Sequence, residues 1–310
     1  MGKATREAYG NALAKIGKEN SNIIVLDADL SKSTKTDTFK KECPERFFNV
    51  GIAEQNLISV GAGLAAAGKI PFVSSFAMFA TGRAFEQIRN AVCYPKLNVK
   101  VCATHAGITV GEDGATHQSL EDIACMRVLP NMTVIVPADE KETESVIQWV
   151  ADYNGPVYVR LGRAGVDDVT AEGYTFTPGK SNQLKDGSDV TIMACGALVG
   201  PAVEAAKQLE GEQISARVIN MASIKPIDAN AIIKAAEETG AIVTAEEHNI
   251  LGGLGSAVSE VVVAHKPVPM EFVGVQDTFG ESGTPKELMA KYGLTAEDIV
   301  KAVKKVVTRK

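Results

Sequence analysis

The chain has 310 residues, 45% apolar and 23% charged, with 28 Gly and 12 Pro; this length fills about two domains at roughly 150 residues each and excludes a short peptide or a disordered chain. Its 32 basic and 38 acidic side chains leave a formal charge of −6, and no Lys/Arg-rich block stands beside an aromatic series. That balance speaks against a nucleic-acid binder and leaves small anionic substrates open.

In chain order, residues 5–19 read as a helix and NIIVLDAD (22–29) as a buried strand ending in acids. The strand-like FFNVGIA precedes a small-residue helix over 53–69, and the alternation continues with PFVSSF (71–76), a helix over 79–92 and VKVCATH (99–105). A Gly-rich loop, a helix near 118–128, MTVIVPA (132–138), a helix over 139–152 and VYVRLG (157–162) complete the first half. Strands apolar throughout and alternating with helices predict a parallel sheet covered on both faces. The polar, turn-rich and aperiodic stretch 166–188 reads as a linker. The alternation then restarts with DVTIMACG (189–196), a helix over 201–210, SARVINMA (215–222), a helix over 228–238, AIVTAEE (241–247), a helix over 253–265 and MEFVGVQD (270–277). Helices over 284–292 and 296–307 close the chain, the last opening on the cap-like Thr295-Ala-Glu-Asp298 and presenting Ile299, Val303 and Val306 on one face. The expected fold class is α/β, two doubly wound domains over 1–165 and 189–310.

The five cysteines (Cys43, Cys93, Cys102, Cys125, Cys195) are scattered and form no C-x-x-C, so neither a disulfide framework nor a cysteine metal site is indicated, and a reducing cytoplasm is the expected compartment. The first twenty residues lack a signal-peptide apolar core, and no stretch approaches the roughly 18 apolar residues of a membrane span.

The segment richest in chemistry is THAGITVGEDGATHQ (104–118), which places two of four histidines, two acids and three glycines in one loop after a strand. Ligand contacts in doubly wound sheets gather at such strand ends, so His105, Asp113 and His117 could converge on a polar substrate; a surface loop with turn-forming Asp and Gly is the plainer reading. No spacing there matches a known metal pattern. Glu54 of NVGIAEQN sits at a strand-to-helix turn, where it either offsets the helix dipole or, if buried, shares a proton. Phe76 and Phe79 are three apart and form either core or one face of a ring pocket. Arg6, Arg160 and Arg163 suit phosphate recognition, although a salt-bridged arginine is commoner. GGLGSAV (252–258) is neither G-x-G-x-x-G nor a P-loop and reads as close packing at a helix start.

Taken together, ATRE near the start, ADLSKS, GIAEQN, FAMF, THAGITVGEDGATHQ and LGR, in this order and spacing, resemble the carboxyl-terminal portion of transketolase, the thiamine-diphosphate enzyme, over nearly the whole chain. The resemblance implies a pyrimidine-binding domain over 1–165 and a transketolase C-terminal domain over 189–310, the latter with EEHNILGGLGSA (246–257). It implies that Glu54 is the carboxyl that hydrogen-bonds the cofactor's pyrimidine N1′, that Phe76 and Phe79 wall the aminopyrimidine, and that Asp29 lies close to the cofactor across a subunit interface. A third aromatic of many family members falls on Gly82. The resemblance further assigns Arg6, Ser33, His105 and Arg163 to the sugar phosphate, Asp113 to a sugar hydroxyl, and His117 to the reacting carbonyl, with Glu54, His117 and His105 as the catalytic set.

One departure follows. The family's Mg²⁺ and diphosphate are held through a G-D-G motif in a preceding domain, and the only near-matches here are EDG (112–114) and KDG (185–187). The resemblance therefore implies a split transketolase whose amino-terminal subunit carries that site, paired with this chain as α2β2 and transferring a two-carbon ketol unit between sugar phosphates such as xylulose 5-phosphate and ribose 5-phosphate. The rivals are a deoxyxylulose-phosphate synthase, a keto-acid dehydrogenase E1 beta subunit and a non-catalytic binding paralogue. Arg6 and the fully spaced H-x-G-I-x-V-G-E-D-G-x-T-H loop favour transketolase.

Overall fold

The computed structural model describes residues 2–310. Strands β1 (Ile23–Asp27), β2 (Phe47–Asn49), β3 (Ile70–Ser74), β4 (Lys100–Ala103), β5 (Thr133–Ile135) and β6 (Val157–Arg160) form a parallel sheet in the order β5-β6-β4-β3-β1-β2. Beyond them, β7 (Asn182–Lys185), β8 (Val190–Ala194), β9 (Ala216–Asn220), β11 (Ile242–Asn249) and β12 (Met270–Val275) form a second sheet in the order β12-β11-β8-β9-β7. Both sheets carry one antiparallel edge. β7 runs against β9, and β10 (Ser223–Lys225), although it follows β9 in sequence, pairs with β5 and so becomes the seventh strand of the first sheet.

The strands β1, β4, β6 and β8 are buried at every position, as expected for a sheet covered on both faces. Helices α1 (Thr5–Glu19), α2 (Ser31–Thr34), α3 (Thr36–Glu42), α4 (Glu54–Ala66), α5 (Phe85–Gln87), α6 (Asp122–Arg127) and α7 (Glu140–Asp152) serve the first sheet. The second is served by α8 (Val199–Glu210), α9 (Ala229–Thr239), α10 (Leu254–His265), α11 (Pro285–Lys291) and α12 (Ala296–Val307). The expected amphipathic end of the chain is present: Thr295 and Asp298 close a capping box, and Ile299, Val300, Val303 and Val306 are buried.

Several stretches depart from that reading or fill gaps in it. The segment 31–42 is helical, because Asp27 accepts from the Leu30 amide and the Thr34 and Thr36 hydroxyls and so fastens two short helices to the end of β1. The expected helix over 79–92 is wound as π-type turns over Met78–Arg83 and Ile88–Cys93, flanking the single turn of α5. The helix near 118–128 is confined to Asp122–Arg127. The stretch 166–188 carries β7, and 223–225 carries β10; both are edge strands whose pairing, not their pattern, defines them. Lys100, on β4, is fully buried and donates to the carbonyls of Tyr153 and Gly155, while desolvation brings its ammonium down to about 7.

The halves are sutured by buried polar groups. The Glu142 carboxylate of α7 receives two N–H bonds, at 2.9 and 2.8 Å, from Asn220 of β9. Arg160, at the end of β6, donates through Nε to Asp122 (2.8 Å) and through Nη2 to the backbone carbonyl of Glu247 (2.8 Å) in β11. No helix among the described residues is long and apolar enough to cross a membrane.

Candidate active site

The carboxyl ends of the first sheet's strands deliver the polar residues singled out above. Asp29 and Ser33 follow β1, Glu54 follows β2, Phe76 follows β3, His105 follows β4 and Arg163 follows β6, while Arg6 comes from the first turns of α1. This is the crevice edge on which open α/β sheets bind ligands.

His105 is the hub. It is buried, with a left-handed backbone at φ 56°, and its ring stacks on Phe76 at 3.8 Å between centroids. Thr104 Oγ1 lies 2.8 Å from Nδ1 and Arg6 Nη1 lies 3.3 Å from Nε2. A guanidinium only donates, so Nε2 accepts and Nδ1 carries the proton toward the threonine hydroxyl. Burial, reinforced by Arg6, Arg163, His117 and Lys35, pushes the imidazole down to about 3, so it is neutral at neutral pH. Arg6 also donates from Nη1 to the Ser33 carbonyl (2.9 Å), and its buried Nε has no acceptor. Desolvation lowers its pKa, with Glu7 opposing the shift and the neighbouring Arg163 adding to it.

His117 joins from the far side of the loop, edge-on to Phe79 at 5.3 Å and to Phe76 at 6.2 Å, and Phe76 and Phe79 stack at 6.1 Å. Asp113 stands apart from this group: it is exposed beside Arg163, with 3.9 Å between Oδ2 and Nη1. Arg163 is engaged by the Val110 carbonyl and by Glu112 at 3.1 Å. Asp29 is exposed at φ 65° and exchanges hydrogen bonds with the Asn49 side chain.

Glu54 is the first residue of α4 and is 1% exposed. Its Oε2 accepts from Arg83 Nη1 at 2.6 Å; its Oε1 has no partner among the described residues. The Arg83 guanidinium also lies 4.9 Å over Phe79, and beside it a cleft of about 500 Å³ is lined by Met78, Phe79, Arg83, Thr116, Gln118 and Phe279. At Gly82, a Cβ would come within 2.8 Å of the Met78 methyl, so the methionine occupies the space next to that glycine.

Sequence reasoning passed over Arg83, whose one signal is its i, i+4 spacing from Phe79. It also passed over Gln118, whose buried amide donates to the carbonyls of Ile108, Gly111 and Glu281 and so ties the 104–118 loop to the second half. Gly107 has φ 87°, and a Cβ there would lie 2.3 Å from the Glu247 carboxyl, so glycine is required where the loop meets β11. Among the described residues no group of three His, Cys, Asp or Glu side chains is arranged to hold a metal ion.

A buried carboxyl at a helix start, an aromatic and imidazole wall, an orphaned guanidinium N–H and an adjoining cleft suit a planar heterocycle and an anionic substrate. Fold and site together define a pyrimidine-binding α/β domain joined to a second α/β domain. The model of the transketolase pyrimidine-binding domain matches residues 1–167, and that of the transketolase C-terminal domain matches residues 179–299. The chain belongs to the transketolase family, a thiamine-diphosphate-dependent family, and corresponds to the C-terminal section that split-gene relatives carry as a separate subunit.

A solved structure described as a split gene transketolase, inactive beta4 tetramer, is 60% identical, superposes with a TM-score of 0.94 and is covered end to end, 100% of each chain. The "Putative transketolase C-terminal section" of Methanocaldococcus jannaschii is 52% identical over 97% of this chain and 95% of its own length. The 6-deoxy-6-sulfo-D-fructose transketolase subunit SqwH of Clostridium sp. (strain MSTE9) is 43% identical over 98% of this chain and 95% of its own. Human transketolase is 37% identical over 99% of this chain, which spans 49% of the human protein.

Proposed function

We propose that this chain, paired with an amino-terminal subunit, transfers a two-carbon ketol unit from a ketose phosphate such as xylulose 5-phosphate to an aldose phosphate such as ribose 5-phosphate. The observation that carries this reading is the convergence of Arg6, His105, His117 and the Phe76–Phe79 wall on one crevice edge, with an unpartnered Arg6 Nε. Thiamine diphosphate, when bound, supplies the electron sink for carbon–carbon cleavage.

The chain's own residues would position and protonate. Glu54 offers the pyrimidine a carboxyl in a dry environment, and Phe76 and Phe79 set the ring plane. Arg6 and Arg163, with Ser33 and His105, receive the sugar phosphate; two fixed cations beside a neutral imidazole suit a dianion. His105 serves as a neutral hydrogen-bonding group, since a ring held at about 3 does not act as an acid near pH 7. His117, more accessible than His105, faces the reacting carbonyl and stabilises its developing charge. Asp113 meets a sugar hydroxyl and Asp29 approaches the cofactor across the subunit boundary.

The partner would bring the diphosphate and Mg²⁺ ligands, in an α2β2 assembly with cofactor between chains. The five free cysteines, four of them buried, suit a cytoplasmic setting. Two relatives named for other donors, a sulfofructose and an apulose-4-phosphate transketolase subunit, keep the donor sugar open within this reading. The test is reconstitution with the amino-terminal partner and assay of xylulose 5-phosphate plus ribose 5-phosphate against 6-deoxy-6-sulfofructose, apulose 4-phosphate and pyruvate. Ketol transfer from the phosphosugars supports the proposal. Turnover of pyruvate alone, or of no donor, overturns it.

A further inference from the structure

Three consecutive polar side chains of β11, Glu246, Glu247 and His248, are buried and take no part in the proposed chemistry, and each accepts at least one backbone amide. Glu246 holds the Leu254 and Gly255 amides at the start of α10, at 2.7 and 2.8 Å, within its own domain. The other two reach the first domain. His248 donates from Nδ1 to the Asn249 carbonyl (2.6 Å), which leaves Nε2 to accept the Ala124 amide of α6 at 3.4 Å. Glu247 Oε1 accepts the Thr109 amide at 2.6 Å, and the Asn249 amide donates to the Leu120 carbonyl at 2.8 Å. Residues 247–249 thus grip the first domain within the 104–118 loop and just beyond it.

Thr109 adjoins the contact that aims Arg163. Nη1 of that arginine donates to the Val110 carbonyl and lies 3.1 Å from Glu112, whereas Nε and Nη2 have no protein partner among the described residues and the side chain is 33% exposed. The bonded Nη1 fixes the guanidinium and leaves its other edge, Nε with Nη2, as a fork for a phosphate. Val110 and Glu112 belong to short helical turns over Ile108–Asp113, which glycines at φ 87° (Gly107) and 83° (Gly111) flank and interrupt, so their place depends on anchors outside them. Glu247 is one such anchor. Gln118 is the other: its buried amide donates to the carbonyls of Ile108 (3.1 Å) and Gly111 (3.3 Å) and, in the second domain, of Glu281 (2.9 Å).

We propose that Glu247 is a positioning residue for the phosphate subsite: through Thr109 and Val110 it fixes the guanidinium of Arg163. The second domain, which supplies none of the proposed phosphate ligands, thereby sets how the sugar phosphate is held. Gln118 acts on the same turns from their other side. This inference rests on the sugar-phosphate transfer proposed above.

Glu247→Met keeps the length of the side chain and removes the acceptor; Glu247→Gln keeps both. In the reconstituted complex, with folding checked by circular dichroism, Glu247→Met is expected to raise the KM for the phosphosugars about ten-fold, with kcat within about three-fold of the parent. Glu247→Gln is expected to restore KM to within about three-fold. Gln118→Met frees the same turns and serves as the second variant, with the same rise expected. In an Arg163→Ala background, Glu247→Met is expected to add less than about two-fold, because its effect passes through that arginine. Nitrogen-15 relaxation of the Arg163 Nε–H group in the full chain, assigned by its absence from Arg163→Ala, needs no turnover: the group is expected to be more mobile in Glu247→Met and as rigid as the parent's in Glu247→Gln. The proposal is overturned if the folded variants keep the parent's KM, if kcat falls instead, if the loss persists in the Arg163→Ala background, or if the arginine's mobility is unchanged. A parent complex inactive on every phosphosugar overturns the transfer reading alone, and the relaxation measurement still decides whether Glu247 holds Arg163.

Discussion

Arg83 Nη1 lies 2.6 Å from Glu54 Oε2, and the same guanidinium rests 4.9 Å from the centre of the Phe79 ring. One cation thus occupies both features proposed for the aminopyrimidine, the buried carboxyl and the aromatic wall. The carboxylate is 1% exposed and the arginine 48% exposed, so the bond is anchored on one side and solvated on the other. Such a half-solvated pair is worth about 0.2–1 kcal/mol, little enough for a ligand to replace.

Replacing Arg83→Met keeps an apolar stem near Phe79 and removes the donor. In the reconstituted complex, thiamine diphosphate is expected to bind up to about five-fold more tightly by calorimetry, because the competing bond is gone. Unchanged or weaker binding would mean that Arg83 keeps its bond to Glu54 when the cofactor is present.

Glu54→Ala removes the buried carboxyl at the start of α4. Turnover of the reconstituted complex is expected to fall about 100-fold or more, the scale of a lost proton-transfer partner, with the circular dichroism spectrum unchanged. Turnover equal to the parent's would sink the assignment of Glu54.

Arg6→Ala leaves Ser33 and His105 in place and removes the donor to both. The KM for the phosphosugars is expected to rise about ten- to a hundred-fold, a charge-assisted bond of about 1.5–3 kcal/mol, with a smaller change in kcat. Donors lacking the phosphate should be insensitive to the change; equal losses for both would place Arg6 outside the phosphate site.

Protonation of His105 opposes folding. The ring titrates near 6.5 in the unfolded chain and near 3 in the folded one, so between those values the unfolded chain holds the extra proton. Stability from this group is therefore complete above pH 6.5 and lost as the pH falls toward about 3. Denaturant titrations at several pH values should show the parent losing stability relative to His105→Gln over that window; a constant difference would show that the ring is already charged when folded.

Glu142 works in the opposite sense. Burial pushes its carboxyl up to about 7 from the usual 4.5, despite the two N–H bonds from Asn220, so here the folded chain holds the extra proton. Stability falls as the pH rises from 4.5 toward 7. Glu142→Gln, which stays neutral and can donate to the orphaned Asn220 Oδ1, is expected to be more stable than the parent at pH 8 by on the order of 2 kcal/mol and about equal to it at pH 5. Thermal unfolding at both values checks this.

Much of this is legible in the chain's own pattern. The strands of the two sheets announce themselves as short apolar runs, and the residues at their carboxyl ends, from Asp29 to Arg163, stand in recognisable motifs. Local pattern reached no further than local interactions do. β7 is half-exposed at three of four positions and β10 is three residues long, so neither has a period to read; each exists because an edge elsewhere offers it hydrogen bonds. That Arg6 faces His105, 99 residues away, and that Arg83 closes on Glu54, 29 residues earlier, are consequences of strand order.

The alternation of elements, the family resemblance and the side chains that stand at strand ends are all read from the order of residues, because they depend on spacing along the chain. Which charges are buried, which polar atoms are left open and how the two halves are joined follow from the folded chain and not from spacing. The Asp122–Arg160–Glu247 network shows why: no neighbour in sequence foretells that an arginine on β6 will be buried between a carboxylate 38 residues before it and a carbonyl 87 residues after it. The free energy of a buried charge depends on partners that only the completed fold supplies.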